Sequence, residues 1–191
     1  MHNEQPILWR TCRIIANQRR LELLWCLFSH GPRCLFELAN DVGISNPQAS
    51  IHLYALASHG LIRQYRSKMR LISVPEGNAK VASAEDLLES LRTCHHAEMP
   101  IQTVFKQVTA FTHARRIEIM QTLPENGFSI EQLAEQTHIS ESALTRHLSK
   151  LTVRGFVRKK EDHFFKGMPP DALSQTLLKI VDEAFQIRIV F

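Results

Sequence analysis

Ser45-Asn46-Pro47-Gln48-Ala49-Ser50-Ile51-His52-Leu53-Tyr54-Ala55-Leu56 returns 95 residues later as Ser140-Glu141-Ser142-Ala143-Leu144-Thr145-Arg146-His147-Leu148-Ser149-Lys150-Leu151. Just upstream, Glu37-Leu38-Ala39 recurs as Gln132-Leu133-Ala134 at the same offset. Further out, Asn17-Gln18-Arg19-Arg20-Leu21-Glu22-Leu23-Leu24 recurs as His113-Ala114-Arg115-Arg116-Ile117-Glu118-Ile119-Met120, now 96 residues away. The one-residue slip falls near Gly31 and Gly127, where a loop absorbs it. Each copy closes on Gly60-Leu61-Ile62-Arg63 or Gly155-Phe156-Val157-Arg158. Self-similarity over this span means two homologous domains in one chain.

Local signals give each copy three helices and a hairpin. From Arg19 to Phe28, Leu23, Leu24, Leu27 and Phe28 recur at helical spacing and stop at Gly31-Pro32. A shorter helix runs from about Leu35 to Val42, with Leu38, Ala39 and Val42 inward and Gly43 supplying a left-handed turn. Ser45 as N-cap and Pro47 just inside then start a helix that reaches about Ser58, and Ser140 is expected to cap its counterpart. Ile62–Arg66 and Met69–Val74 read as strands with Ser67-Lys68 at the tip, and Val157–Lys160 with Phe164–Lys166 as a second, shorter pair. Two helices across a tight turn followed by a hairpin make a winged helix-turn-helix. The expected fold class is mainly α with small β-hairpins: two winged helix-turn-helix domains, linked and flanked by helices. The expected divisions are 1–80 and 112–168 for the winged domains, 81–111 for a helical connector and 169–191 for a C-terminal helix.

The run Ser45-x-x-x-x-Ser50-x-His52-Leu53-x-x-Leu56-x-x-x-Gly60-Leu61-Ile62, preceded by Ala16-Asn17-x-Arg19-Arg20-Leu21-x-Leu23-Leu24, resembles the DNA-binding domain of ArsR-type transcriptional regulators. The second copy resembles it nearly as well, with Thr145 for the second Ser. The resemblance spans about residues 10–75 and 105–167. It implies a sequence-specific regulator of transcription that binds double-stranded DNA, with repression by occlusion as the default. It also implies that the helices flanking each winged domain form a dimer interface.

On the helix from Pro47 to Ser58, the spacing of Ala49, Leu53 and Leu56 defines a buried stripe. Pro47, Ser50, Ile51 and Tyr54 then point outward, with Asn46 and Gln48 at the exposed start. In the second copy the outward set is Ser142, Thr145, Arg146 and Ser149, with Glu141 and Lys150 alongside. Such side chains suit the major groove, where Gln bridges adenine, Arg grips guanine and Ser or Thr meets either. The bland reading of each is a solvated helix face. His52 and His147 sit beside the buried stripe, positions as suited to a structural hydrogen bond as to a phosphate; the resemblance raises them as DNA contacts. Ile51 and Tyr54 either meet thymine methyls or pack on a neighbouring domain.

Charge supports an anionic partner. The 191 residues hold 23 Lys and Arg against 19 Asp and Glu, with a pI near 9.0. Residues 1–80 hold 10 basic against 5 acidic and 112–168 hold 9 against 7, whereas the connector holds 2 against 4. Arg63, Arg66, Lys68 and Arg70 line the first wing; Arg154, Arg158, Lys159, Lys160 and Lys166 surround the second, each able to neutralise a phosphate. Glu161 and Asp162 at the second tip are a counter-signal. With 44% hydrophobic and 22% charged residues, the composition excludes disordered, collagen-like and coiled-coil readings.

A helix with a capping-box-like start is expected from Ser83, with Leu87, Leu88 and Leu91 on its apolar face. Further apolar stripes fall at Ile101, Val104, Phe105, Val108 and Phe111, and at Leu173, Leu177, Leu178, Val181 and Phe185. These pack between the copies or between chains. One chain with two readers suggests a pseudo-dimeric monomer binding an asymmetric site; a homodimer through Ile187–Phe191 is the other arrangement. Met1–Gln5 lacks signal-peptide character and no 18-residue apolar span occurs, so a cytoplasmic location without membrane contact is expected.

Cys12, Cys26, Cys34 and Cys94 are too scattered for a disulfide framework and read as reduced thiols in or near cores. The resembling family's paired-cysteine metal motif aligns with Cys34 and Phe36, and with Ser129 and Glu131, so it is absent here. Neighbours in Cys94-His95-His96 diverge on a helix and cannot close a metal site unaided. No metal, cofactor or catalytic residue is expected, and the effector is unknown. With no phosphate-cradling glycine loop or zinc-protease signature, the chain is expected not to be an enzyme. The competing readings are a winged-helix protein-interaction module and a metal- or ligand-responsive sensor.

Overall fold

The computed structural model describes residues 8–189, with side chains to Glu183. The first copy contains α1 (Leu8–Ile15), α2 (Gln18–His30), β1 (Arg33–Cys34), α3 (Leu35–Val42), α4 (Asn46–Ser58), β2 (Arg63–Ser67) and β3 (Arg70–Val74). Next comes α5 (Ala84–His96), which follows the first wing. Then α6 (Ile101–Val108) and a 3-10 turn (Thr109–Phe111) lead into the second copy: α7 (Ala114–Thr122), α8 (Ile130–Thr137), α9 (Glu141–Val153), β4 (Val157–Lys160) and β5 (His163–Lys166). Helix α10 (Ala172–Ile189) follows. Two winged helix-turn-helix units, mainly α with small antiparallel hairpins, are therefore the fold.

The same local chemistry builds both copies. Asn17 sits in extended backbone and its side chain accepts from the Arg20 N–H at the head of α2; His113 does the same for the Arg115 N–H at the head of α7. The second arginine of each pair turns back on the preceding helix. Arg20 donates to the Ile14 carbonyl, and buried Arg116 donates to the Ala110 and Thr109 carbonyls and the Thr112 hydroxyl. A charged group is tolerated there because it satisfies carbonyls that the helix end leaves open.

Helix α3 ends at Gly43, with φ 68° and its N–H on the Ala39 and Asn40 carbonyls. His138 occupies the corresponding turn with φ 53°. Ser45 and Gln48 form a capping box, the Gln48 carboxamide oxygen accepting from the Ser45 N–H at 3.1 Å. Ser140 stands at the N-cap of α9 but makes no side-chain cap, contrary to expectation. The residue three positions on is Ala143, which has no group to complete a box and is itself buried. Ser83 also fails as a cap: its φ of 62° is left-handed, whereas capping needs extended backbone.

The first wing is one strand richer than expected, because β1 pairs with β3 through Arg33–Ser73 and Cys34–Ile72. Its tip is Lys68-Met69, with Ser67 paired to Arg70, one residue beyond the expected turn. In the second wing Val157 pairs with Lys166 and Lys160 with His163.

One continuous core joins both copies. It runs from Leu21, Leu24, Leu38, Leu53 and Leu56 through Leu87, Leu88 and Leu91 to Ile119, Met120, Leu144, Leu148, Leu173 and Leu177. Burying each such side chain contributes about 1.5–3 kcal/mol. Equivalent segments meet in it: α1 packs on α6 and its 3-10 turn, and α5 packs along α10. Lys179 pairs with Asp86 across the α5–α10 contact at 3.1 Å. Phe105 and Ile101 stay partly exposed on their stripe. The Phe185 side chain and the tail pairing assigned to Ile187–Phe191 fall outside the described side chains.

Candidate nucleic-acid interface

Burial of Ala49, Leu53 and Leu56 on α4, and of Leu144, Leu148 and Leu151 on α9, fixes which face each helix turns outward. Asn46, Gln48, Ser50, Ile51 and Tyr54 are exposed, as are Ser142, Thr145, Arg146, Ser149 and Lys150. Ile51 and Tyr54 are 65% and 72% exposed, so neither packs on the other domain of the same chain. Two side chains are partly engaged. The Gln48 oxygen is held by the capping box, which leaves its NH2 outward, and the Thr145 hydroxyl donates to the Glu141 carbonyl at 2.8 Å. An open cleft of about 420 Å³ separates α9 from the second wing, lined by Thr145, Leu148, Ser149 and Phe164 among others.

The two faces differ in kind. Neither α3 nor α4 carries Lys or Arg, and Phe36, Ile51 and Tyr54 stand exposed on them. On α9, Arg146 and Lys150 are exposed beside hydroxyl side chains.

The wing cations fall into two groups. Arg66, Lys68, Arg70, Arg158, Lys159 and Lys160 are exposed and form no ion pair among the described residues; Lys159 lies over the Phe164 ring. Three others are committed elsewhere. Arg63 holds Glu76 through Nε and Nη2, Lys166 pairs with Asp182 at 3.0 Å, and Arg154 turns inward to the Lys106 and Lys150 carbonyls and the Thr109 hydroxyl. Each of these three has an acceptor within the fold.

Neither histidine beside the buried stripe is freely presented. His52 is half-buried with Nδ1 unpartnered, and burial plus the Arg20 and Arg19 charges lower its pKa. His147 lies 4.8 Å from the His113 ring. Burial, then His113, Arg116, Arg115 and Arg146, push its pKa down to about 4. Burial and the same arginines Arg116 and Arg115, with Lys150, lower His113 as well. His113, Arg115 and Arg116 thus gather around His147 on α9. Reading motif positions on α9 alone misses His113 and Arg115; the repeat of Asn17-x-Arg19 as His113-x-Arg115 is the signal that points to them.

The model of the bacterial regulatory protein arsR family matches residues 17–64 and 113–159, the segments that carry α2 to α4 and α7 to α9 with the start of each wing. The chain belongs to the arsR family. It holds that family's domain twice and is a DNA-binding transcription regulator. No curated protein matches the chain. Among the described residues no helix is long and apolar enough to cross a membrane.

All four thiols of this arsR-family chain are free. Cys12, Cys34 and Cys94 are buried and Cys26 half-buried. Burial raises Cys12 strongly and pushes Cys94 up to about 11, which suits thiols packed in a core. At Cys94-His95-His96, Cys94 is buried, while His95 bonds Ser29, meets Trp25 and Phe28 and lies 5.7 Å from the His96 ring. The family's paired-thiolate positions hold no ligand pair: Phe36 is exposed, and Ser129 instead caps α8 and bonds Glu131. A different cluster, Cys26, His30 and Asp41, brings its ligand atoms within 4.8 Å of one another.

Proposed function

We propose that this chain is a repressor that grips one asymmetric double-stranded DNA site as a covalent pseudo-dimer. Residues 1–80 and 112–168 serve as the two reading domains, and 81–111 with 169–191 hold them together. Helix α4 enters one major groove with Asn46, Gln48, Ser50, Ile51 and Tyr54; α9 enters another with Ser142, Thr145, Arg146, Ser149 and Lys150. Arg66, Lys68 and Arg70 on one wing and Arg158, Lys159 and Lys160 on the other lie against phosphates, with His147 beside the backbone at the second half-site. Repression follows by occlusion of the promoter.

The observation that carries this reading is the α5–α10 contact, which joins equivalent helices inside one chain while both reading faces stay exposed. The two half-sites should differ in chemistry. Ile51 and Tyr54 favour thymine methyls, and Arg146 favours guanine. Selection of bound duplexes from a random pool, followed by native mass spectrometry, tests it. One chain on a non-palindromic site is expected, with Arg146→Ala relaxing one position. A perfect palindrome holding two chains would instead mean a homodimer that uses one copy from each.

The uncharged, apolar face of α3 and α4 favours one second reading, a first copy that docks protein. Base preference confined to the positions read by α9 would favour it.

A further inference from the structure

Cys26 and His30 stand one helical turn apart on α2, so their side chains share a face. Asp41, in the last turn of α3, faces them across the α2–α3 contact. A sulfur, a ring nitrogen and a carboxylate oxygen are thereby gathered within 4.8 Å. We propose that this cluster is a binding site for a divalent transition-metal ion of the borderline-soft class, Zn(II) being the type.

Three features favour it. A thiolate and a carboxylate together offset the two positive charges of the ion, and neutral imidazole adds none. His30 Nδ1 lies 3.1 Å from the Cys26 carbonyl, so a proton on Nδ1 is bonded to backbone and the Nε2 lone pair is left for a metal, the orientation typical of ligating histidines. The Asp41 carboxylate makes no ion pair or hydrogen bond among the described residues and so has no competing cation to surrender. Tetrahedral closure requires these separations to shorten and leaves a fourth position for water. The ion would clamp the first helix of the first helix-turn-helix to α2. The site is distinct from the aligned Cys34 and Phe36 positions, and its test uses no DNA, so it stands or falls apart from operator reading.

Cobalt(II) titration of the full chain is the test. One equivalent is expected to raise a near-ultraviolet thiolate charge-transfer band with the visible bands of tetrahedral Co(II), and Zn(II) should bleach them. Cys26→Ser should abolish the charge-transfer band, and His30→Ala and Asp41→Asn should each weaken binding at least about tenfold. Cys34→Ser and Cys94→Ser should leave it intact. Persistence of the band in Cys26→Ser, or unchanged affinity in His30→Ala, overturns the assignment. In the unaltered protein, Zn(II) should slow alkylation of Cys26 as read by peptide mapping. Labelling that is indifferent to Zn(II) overturns the site without relying on any variant.

Discussion

Replacing Arg158, Lys159 and Lys160 together by alanine should flatten the salt dependence of DNA binding by a calculable amount. Eight exposed cations lie on the proposed contact surface without an ion pair among the described residues: Arg66, Lys68, Arg70, Arg146, Lys150, Arg158, Lys159 and Lys160. Each phosphate neutralised contributes about 0.9 to the slope of log affinity against log salt, so full engagement gives a slope near −7. Raising salt fourfold then weakens binding by about 10⁴. With three cations removed the slope falls to about −4.5, and the same step costs only about 500-fold. Fluorescence anisotropy of a labelled selected duplex across a salt series reads both numbers. Arg154→Gln and Lys166→Gln are the matched controls, because their charges are already spent on internal carbonyls and Asp182. A triple variant with the parental slope, or controls that flatten it as much, would refute the assignment of the second wing to phosphate.

Arg116→Ala should destabilise the fold by about 3–5 kcal/mol in urea unfolding, since it strands buried carbonyls that accept a charged donor; Arg20→Ala, with one such bond, should cost about 1–2 kcal/mol. A larger cost at Arg20 would invert the argument. For His147, whose native pKa lies near 4 against an unfolded value near 6.5, the unfolded chain binds more protons between those limits. Its stabilising contribution is therefore full above about pH 6.5 and lost as pH falls toward 4. Solvent screening holds the loss to about 1 kcal/mol, visible as a steeper decline of the urea midpoint in the parent than in His147→Gln. Ala143→Gln puts the box-completing residue of α4 at a buried position and should lower the thermal midpoint; a rise would mean that the glutamine emerges and completes a box with Ser140.

Where local chemistry decides structure, the sequence reads well. Leu35–Val42 ends where Gly43 supplies left-handed backbone, and α4 starts where Ser45 and Pro47 say it should. Repetition then carried the same reading to the second copy and marked both outward faces. What escaped depends on partners distant in the chain. Strand β1 is two residues long, too short for any alternation, and exists only because β3 lies beside it. Helix α1 is only eight residues long; it turns Leu8, Cys12 and Ile15 inward and is held by the segment before α7. Nothing in the pattern around Arg63, Arg154 and Lys166 reveals Glu76, the Lys106 carbonyl and Asp182 next to them. Cys26 and His30 have helical spacing in plain view, yet only the packing of α3 on α2 delivers Asp41.

The joining of α5 to α10 within a single polypeptide has a thermodynamic corollary. Two-chain regulators come apart when diluted, and their occupancy of a site then falls with the square of protomer concentration. Here the halves are tethered by peptide bonds and a common interior, so dilution cannot part them. Under the proposed single-chain reading, a cell holding a few copies would see titration proportional to copy number, with no threshold below which the regulator goes silent.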